Sequence, residues 1–427
     1  MSKKALISVL FAVIILAAAL FTITKITSPE GVKPKPEATD GVSEEEYSRF
    51  FSSPEASNAP STSEASGASS TRYEPVHPVN IGSEGVYSPV TLHHFVPENL
   101  RFTYFEILNR LKNYEKDIVL SRAVSEDDFL HVLIYIRDFN PELFFIDWSL
   151  YNYKATSDSK ITEVNFTFFE GDTSQMAASL EAKVKSVVEQ ANRYPNLFER
   201  ELFVHDWLIN NVTYLVDEKN TGSAYGALVE SKARCEGYAR AFQLIMLRLG
   251  VPTLSVIGTA ENERHMWNAV DLYGEYYFVD VTFDDDANEK NITSYSEQEI
   301  SHSCFNITDE VLSRTHIVSP SGSSDKYGAY QNLVLPECNS NQFNYFRIRG
   351  LAVKNLNQFK YVLERNASSK RACVLFEGEM PSPEELQSAF RDFFEDVYSY
   401  GGYSIYYTPV TSPVFKRNVY EISWTVN

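Results

Sequence analysis

Cys235 stands in the stretch ARCEGYARAF, where residue types and spacing favour thiol chemistry. The apolar residues that follow recur at helical spacing before a Gly-Val-Pro stop signal, and they are Tyr238, Phe242, Ile245 and Leu249. Cys235 is therefore predicted in the first turn of a helix, where unpaired N–H groups and the helix dipole favour a thiolate. A buried structural cysteine is the alternative, and this stretch alone does not decide between the two.

A predicted β-hairpin thirty residues later supplies the partners that a nucleophilic thiol needs. In HMWNAVDLYGEYYFVDVTFDDD, His265 opens the first strand and Asp280 lies near the end of the second. A four-residue loop at 271–274 would place them directly opposite, and a two-residue turn at Tyr273-Gly274 would place them diagonally on one face. A regular three-residue loop would separate them onto opposite faces. When such a pair meets, the carboxylate orients the imidazole, and the imidazole takes the thiol proton.

Three separate motifs, in order, resemble the transglutaminase-like superfamily of papain-like thiol enzymes. They are Cys-x-Gly-Tyr-Ala at 235–239, His-x-Trp-Asn at 265–268 and Asp-x-Thr-x-Asp-Asp at 280–285. The match is close over residues 198–286 and weaker in the flanks, and Phe283 stands where members usually have Trp. The resemblance implies an α+β fold with a papain-like core, in which the nucleophile helix packs on an antiparallel β-sheet, flanked by small α/β domains.

The same resemblance implies roles for individual residues. Cys235 would be the nucleophile, His265 the base and Asp280 the orienting carboxylate, with acyl transfer through a thioester. Oxyanion donors are expected from the backbone N–H of Cys235 and from a side chain upstream, for which Tyr225 is the candidate with Trp207 behind it. For both aromatics, a role in core packing is an equally weighted alternative. Trp267 and Asn268 would position the histidine. No metal and no cofactor are expected.

Two features invite a functional role, but a structural interpretation is favoured for both. His205 lies on the apolar face of a predicted helix, where a lone histidine is usually a satisfied core residue. The run Asp284-Asp285-Asp286 suggests calcium, but consecutive carboxylates lack the alternate spacing of a calcium loop. We therefore expect a solvated loop there.

The composition describes a globular protein with an acidic surface. Of 427 residues, 44% are hydrophobic and 22% charged, and the formal net charge of −19 argues against a nucleic-acid partner. The four cysteines are too few and too scattered for a disulfide scaffold or a paired zinc site, and they are Cys235, Cys304, Cys338 and Cys373.

The N-terminal sequence predicts export. The uncharged run Ala5–Thr24 follows two lysines and is long enough, at about 20 residues, to span a bilayer. We expect an uncleaved membrane anchor within residues 1–27 and an extracellular globular part. A signal Ala5–Ala19 cleaved after Ala19, giving a secreted protein, is the alternative. Residues 28–90 are rich in Ser, Pro and Glu and are predicted to form a disordered stalk.

Three folded regions are predicted after the stalk. Residues 91–175 form a small α/β domain in which Ser125 and Asp128 suggest a helix cap. Residues 176–340 form the catalytic domain. Residues 341–427 form a C-terminal α/β domain with a strand over Tyr345–Val353 and a helix that opens at Ser382 with a capping box.

The leading hypothesis is an exported thiol enzyme that acts on protein or peptide amides at the cell surface, attached to the membrane through its N-terminal helix. Hydrolysis and transamidation share the acyl-enzyme, and hydrolysis is slightly favoured because water is always available. A non-catalytic cell-surface binding or scaffold protein that retains the fold is the alternative.

Overall fold

The computed structural model describes residues 25–27, 76–216, 218–285, 300–319, 323–324, 330–331, 335–378, 381–398, 403–409 and 419–426. The predicted anchor Ala5–Thr24 and residues 28–75 of the predicted stalk lie outside these residues. Within the described residues, no helix combines the length and the apolar character that a membrane crossing requires.

The N-terminal region forms an α/β layer. Its elements are β1 (Lys25–Thr27), α1 (Glu98–Lys112), β2 (Asp117–Ser125), α2 (Glu126–Phe139), β3 (Ile146–Ala155) and β4 (Lys160–Phe168). The sheet order is β1-β3-β4-β2, in which β4 pairs antiparallel with both β2 and β3. The predicted cap is confirmed, since the Ser125 hydroxyl accepts the Asp128 N–H at 3.1 Å and starts α2.

The central region contains the segments that carry the three motifs. Its helices are α3 (Thr173–Ala191), α4 (Leu197–Asn211), α5 (Ala224–Leu228), α6 (Cys235–Arg248), α7 (Val281–Asp284) and α8 (Asp309–Leu312). Its strands are β5 (Thr213–Tyr214), β6 (Lys232–Ala233), β7 (Thr253–Ala260), β8 (Glu263–Leu272), β9 (Glu275–Val279), β10 (His316–Val318), β11 (Ser323–Ser324) and β12 (Tyr330–Gln331).

Helix α6 packs on an antiparallel sheet of order β10-β7-β8-β9. Its apolar stripe is buried as the periodicity predicts, with Tyr238, Phe242 and Ile245 each fully covered. The α+β arrangement, with the helix that carries Cys235 packed on an antiparallel sheet, is therefore confirmed.

One hydrophobic cluster joins the N-terminal layer to the central region, from Leu92 to Ile348. The last part of the predicted stalk, residues 76–90, lies against this body. The buried Arg200 guanidinium donates to the carbonyls of Gly85 at 2.8 Å and Glu84 at 3.2 Å. The Val90 N–H donates to the Leu247 carbonyl at 2.9 Å.

The C-terminal region has its own core around Phe359, Phe393 and Trp424. Its elements are α9 (Tyr345–Ile348), β13 (Ala352–Val353), α10 (Leu356–Arg365), β14 (Arg371–Phe376), α11 (Pro383–Tyr398), β15 (Tyr403–Pro409) and β16 (Val419–Val426). The predicted strand Tyr345–Val353 is wrong for most of its length, because the segment begins with the helical turn α9. The predicted capping box is confirmed by the reciprocal bonds between Ser382 and Glu385, at 2.8 and 3.2 Å.

Candidate active site

Cys235 is the first residue of α6, as the helical spacing predicts. The chain enters the helix from β6, and the Arg234 N–H donates to the Thr221 carbonyl at 2.9 Å. At Gly237 an added Cβ would lie 2.3 Å from the Thr221 carbonyl oxygen, so this position needs glycine for the loop to approach the helix start. Cys235 is partly exposed and is a free cysteine, so its thiol is held in place but remains accessible.

His265 and Asp280 meet through a two-residue turn. Leu272 pairs with Glu275, and Tyr273 and Gly274 between them have positive φ values of 59° and 87°, as in a tight hairpin turn. This register gives the diagonal arrangement on one face, and His265 Nε2 lies 2.7 Å from Asp280 Oδ2. The strand ends at Val279, and Asp280 then caps α7 by accepting the Phe283 N–H on Oδ1 at 3.1 Å.

Burial and charge act in opposite directions on this pair. Burial alone would lower the pKa of His265, but the charges of Asp280 and Cys235, with hydrogen bonding to both, raise it to about 10. Burial alone would raise the pKa of Asp280, but the charge of His265 and hydrogen bonds from two histidines hold it well below its usual range. The carboxylate is therefore ionised and accepts from Nε2–H. Nδ1 is the ring nitrogen left to face the Cys235 sulfur.

His316 is a second partner of Asp280, and no sequence motif predicts it. Its Nε2 lies 3.0 Å from Asp280 Oδ2, its side chain is fully buried, and its Nδ1 lies 2.7 Å from Thr315 Oγ1. The pairing of β10 with β7 brings it there from 36 residues away. His265, Asp280 and His316 have donor atoms within 4.8 Å of one another, a spacing that a metal ion could also use. Here both rings hold one carboxylate oxygen and so fix its direction.

Aromatic rings and one amide hold the histidine and the helix in register. The Trp267 ring lies nearly parallel to His265 at 6.0 Å, and Phe283 meets His265 edge-on at 5.2 Å. The buried Asn268 amide donates to the Ala239 carbonyl of α6 at 3.1 Å and to Leu254 of β7 at 3.3 Å. Asn268 therefore links α6 to β8, the strand that carries His265, and its contacts are to backbone carbonyls.

Gly258 in β7 leaves the space that Trp267 occupies. A Cβ at this position would lie 2.7 Å from the Trp267 ring and 2.2 Å from the Ile317 carbonyl oxygen. We expect Gly258→Ala to lower the free energy of unfolding by about 1–3 kcal/mol, because overpacking displaces β10 and the tryptophan beside His265. Denaturant unfolding measures the loss. Gly85→Ala, where an added Cβ meets nothing within 4 Å, is the control, and equal effects at both glycines would contradict this packing argument.

The two predicted oxyanion residues, Tyr225 and Trp207, contact side chains other than those of Cys235 and His265. Tyr225 stacks on Phe144 at 4.7 Å, and Lys183 lies over the Trp207 ring at 6.0 Å. Tyr214 in β5 interacts electrostatically with Cys235. Burial is the larger cause of the raised pKa of the Tyr214 phenol, and the Cys235 charge is the second. No sequence motif marks Tyr214, which follows Asn-Asn-Val-Thr. The oxyanion roles of Tyr225 and Trp207 stay predictions, and Tyr214 joins them as a candidate donor.

The expectation of a solvated loop at residues 284–286 is wrong for its first two members. Asp284 is 1% exposed and Asp285 is 5% exposed, while Asp286 lies outside the described residues. Both Asp284 oxygens accept the Cys304 N–H at 3.0 Å, and Asp285 accepts from the Tyr238 hydroxyl at 2.6 Å. Backbone and hydroxyl donors from distant segments therefore replace water around these carboxylates.

His205 is fully buried, as predicted, and has two carboxylate partners. Its Nδ1 lies 2.9 Å from Asp206 Oδ1, and its Nε2 lies 3.3 Å from Asp284 Oδ2. Burial alone would lower its pKa, but the hydrogen bonds to both carboxylates raise it to about 9. His205 is therefore a paired charge within the core.

Comparison with known proteins agrees with the motifs. Residues 184–281 match the family model of the transglutaminase-like superfamily. The comparison with curated proteins gave no match. Among solved structures, a candidate cysteine protease from Cytophaga hutchinsonii is 18% identical over 29% of this chain and 51% of its own, with a TM-score of 0.22. A TGase is 12% identical over 53% of this chain and 64% of its own, with a TM-score of 0.27.

These structural alignments cover about half to two thirds of the other chains, and at such TM-scores they carry no argument about activity. The matched segment 184–281 contains Cys235, His265 and Asp280. Over residues 184–281, this chain thus matches the transglutaminase-like superfamily.

Proposed function

We propose that the protein is a thiol enzyme that cleaves protein or peptide amides by acyl transfer, with Cys235 as nucleophile, His265 as acid and base, and Asp280 as the orienting carboxylate. The match to the superfamily model over residues 184–281 supports a cysteine enzyme. The observation that carries the proposal is the 2.7 Å contact between His265 Nε2 and Asp280 Oδ2, with the Cys235 thiol interacting with the same imidazole.

Acylation follows from the positions of these groups. The Cys235 thiolate attacks the amide carbonyl carbon, and the C–N bond breaks as protonated His265 gives its Nδ1 proton to the leaving amine. The negative charge that develops on the carbonyl oxygen is stabilised by the backbone N–H of Cys235 in the first turn of α6. The Tyr214 hydroxyl is a further candidate donor. The product is a thioester on Cys235 and a free amine.

Deacylation separates the two possible reactions. His265, now neutral, takes a proton from water or from a second amine, and that nucleophile attacks the thioester and releases the Cys235 thiolate. We propose hydrolysis as the main outcome, because water is available in any site that a peptide can enter, whereas an amine acceptor needs a binding site of its own.

A cavity of about 320 Å³ beside the start of α6 is a candidate substrate-binding region. It lies between the N-terminal layer and the catalytic region, and its wall combines aromatic, cationic and acidic side chains. Its lining includes Arg234 and Glu236, the two sequence neighbours of Cys235, but neither Cys235 nor His265. The Glu236 carboxylate bridges Arg234 at 2.7 Å and Arg240 at 3.1 Å, which fixes charged groups on both sides of Cys235.

Mapping the acyl-enzyme tests the proposal. The full chain is incubated with an activated peptide ester, quenched in acid and digested for mass spectrometry. We expect one acyl group on the Cys235 peptide, removable by hydroxylamine, and its absence in Cys235→Ala. With a tagged primary amine present, hydrolysis gives free acid and transamidation gives a tagged product. Ester turnover that persists in Cys235→Ala would refute Cys235 as the nucleophile, whereas a folded wild type that is neither acylated nor turns over the ester would favour a binding or scaffold protein.

We propose further that the enzyme acts at the cell surface or outside the cell. This rests on the apolar run Ala5–Thr24 and the Ser- and Pro-rich segment after it. Labelling of Cys235 on intact cells by a membrane-impermeant thiol reagent tests it, and labelling only after lysis would contradict it.

A further inference from the structure

A second group of titratable side chains contacts α7, the short helix that follows Asp280. His205 Nδ1, Asp206 Oδ1 and His302 Nε2 lie within 4.8 Å of one another. Asp206 Oδ1 is 2.9 Å from each of the two nitrogens. His205 is fully buried and the His302 side chain is 10% exposed, but the Asp206 side chain is 32% exposed. Solvent, and a small ion, can therefore reach the group at its carboxylate.

The rings are held by contacts that leave these donor atoms converging. His302 stacks on Tyr345 at 3.9 Å with an interplanar angle of 10°, and His205 meets Phe305 edge-on at 5.1 Å. The other nitrogen of His205, Nε2, lies 3.3 Å from the buried Asp284 carboxylate. A histidine ligand whose second nitrogen donates to a carboxylate is the usual outer-shell arrangement of protein metal sites.

A further buried carboxyl on the same helix lacks a partner for one oxygen. Glu201 precedes His205 by four residues in α4, which places both on one helix face. Its Oε2 accepts from Asn306 at 2.9 Å, and its Oε1 has no hydrogen-bond partner among the described residues. An unsatisfied buried oxygen one turn from the histidine is the kind of group that a bound ion or its water would satisfy.

We propose that His205, Asp206 and His302 bind one divalent transition-metal ion, with Asp284 as the outer-shell partner of His205. Two imidazole nitrogens and one carboxylate oxygen suit Zn²⁺, Co²⁺ or Ni²⁺, whereas Ca²⁺ and Mg²⁺ prefer oxygen ligands. Ligands at about 2.1 Å from a tetrahedral ion lie about 3.4 Å apart, so Asp206 must withdraw from the two rings by about half an ångström. Its exposed side leaves room for that movement.

The ion would link the segments that hold Asp280 in place. It would join α4 to the segment around His302, and through Asp284 it would reach α7, which begins at the catalytic Asp280. Cys304 links the same parts, because its N–H donates to Asp284 at 3.0 Å and its carbonyl accepts the Asp280 N–H at 3.1 Å. Metal binding is therefore expected to raise the melting temperature and to fix the carboxylate that orients His265.

Cobalt titration of the full chain tests the site. The protein is prepared without a histidine tag, stripped with a chelator and carries Cys235→Ala, since a thiolate also binds such metals. We expect one Co²⁺ per chain with visible absorption, displacement by Zn²⁺ and a higher melting temperature. Asp206→Asn and His302→Ala should each weaken binding by at least about 100-fold. Asp206→Asn preserves the side-chain shape, and circular dichroism of the metal-free variants checks that they fold.

Two control variants locate the ion. His131→Ala, on α2, and His265→Ala, in the other histidine cluster, should bind Co²⁺ with unchanged affinity. Three results would overturn the proposal: no saturable binding to the parent, equal affinity in the parent and in both folded ligand variants, or loss of binding in His265→Ala alone. The last would assign the ion to His265, Asp280 and His316 instead.

Discussion

Replacing His265 by alanine is expected to lower turnover of an activated peptide ester by about 10⁴-fold. In the proposed mechanism the imidazole has two tasks: it pairs with the Cys235 thiolate, and it carries the proton to the leaving amine. Its 2.7 Å contact with Asp280 fixes the ring for both tasks.

Steady-state kinetics of the two proteins measure this loss. His94→Ala, an exposed histidine on the N-terminal layer, is the control and should retain full activity. A reduction of less than tenfold in His265→Ala, with the fold intact, would show that His265 is not the acid and base.

Asp280→Asn is expected to lower turnover by roughly 10²- to 10⁴-fold while leaving the fold intact. The amide keeps the shape but removes the charge that holds imidazolium, and two histidines then compete for one neutral oxygen. The pKa of His265 should fall as a result. Turnover of the variant should therefore rise with pH more steeply than that of the wild type, as a thiolate forms without help from an ion pair.

The stability lost on Asp280→Asn is expected to depend on pH. The Asp280 carboxyl has a lowered pKa in the fold, so its contribution to stability is present above about pH 4 and is lost as pH falls below that value. The His265 pKa is raised to about 10, so its contribution is full below about pH 6.5 and is lost as pH rises through about 10. Both contributions are full only between about pH 4 and pH 6.5, so the difference in melting temperature between wild type and Asp280→Asn should be largest in that range.

Asp271→Asn, in the same hairpin, controls for nonspecific destabilisation. Asp271 accepts the Gly274 N–H of the turn at 2.8 Å, outside the Cys235 site. A loss of turnover as large in Asp271→Asn as in Asp280→Asn would mean that the hairpin's stability, and not the Asp280 charge, supports activity.

The parts of this site that the sequence predicted are those set by local pattern. The apolar repeat after Cys235 places the thiol at a helix start because side chains three and four residues apart share one face. The hairpin around Tyr273-Gly274 limits the registers to a few, and two of the three considered bring His265 to Asp280. The structure selects the diagonal one, because both turn residues adopt positive φ.

The parts that were missed depend on distant segments. His316 reaches Asp280 only because β10 pairs with β7, and nothing near it in the sequence marks that role. Asp284 and Asp285 read as solvated because three acidic residues in a row usually need water. Here the Cys304 N–H donates to Asp284 and the Tyr238 hydroxyl donates to Asp285, so donors remote in sequence replace water.

The predicted strand at Tyr345 failed for a different reason. Phe346 and Ile348 are both buried, which is the alternation of a strand over a short segment. The backbone instead closes a helical turn, with the Ile348 N–H donating to Asn344 at 3.0 Å and Arg349 to Tyr345 at 2.9 Å. Runs this short fit both patterns, so tertiary packing decides between them.

The rate of Cys235 alkylation by iodoacetamide, measured as a function of pH in wild type and His265→Ala, tests the central claim most directly. The pKa of His265 is raised to about 10, so its imidazolium lies beside Cys235 at neutral pH, and the wild type should react faster than His265→Ala at pH 6. In His265→Ala the rate should be lower at pH 6 and rise about tenfold per pH unit, as for an ordinary thiol. Identical profiles in the two proteins would contradict the Cys235–His265–Asp280 assignment.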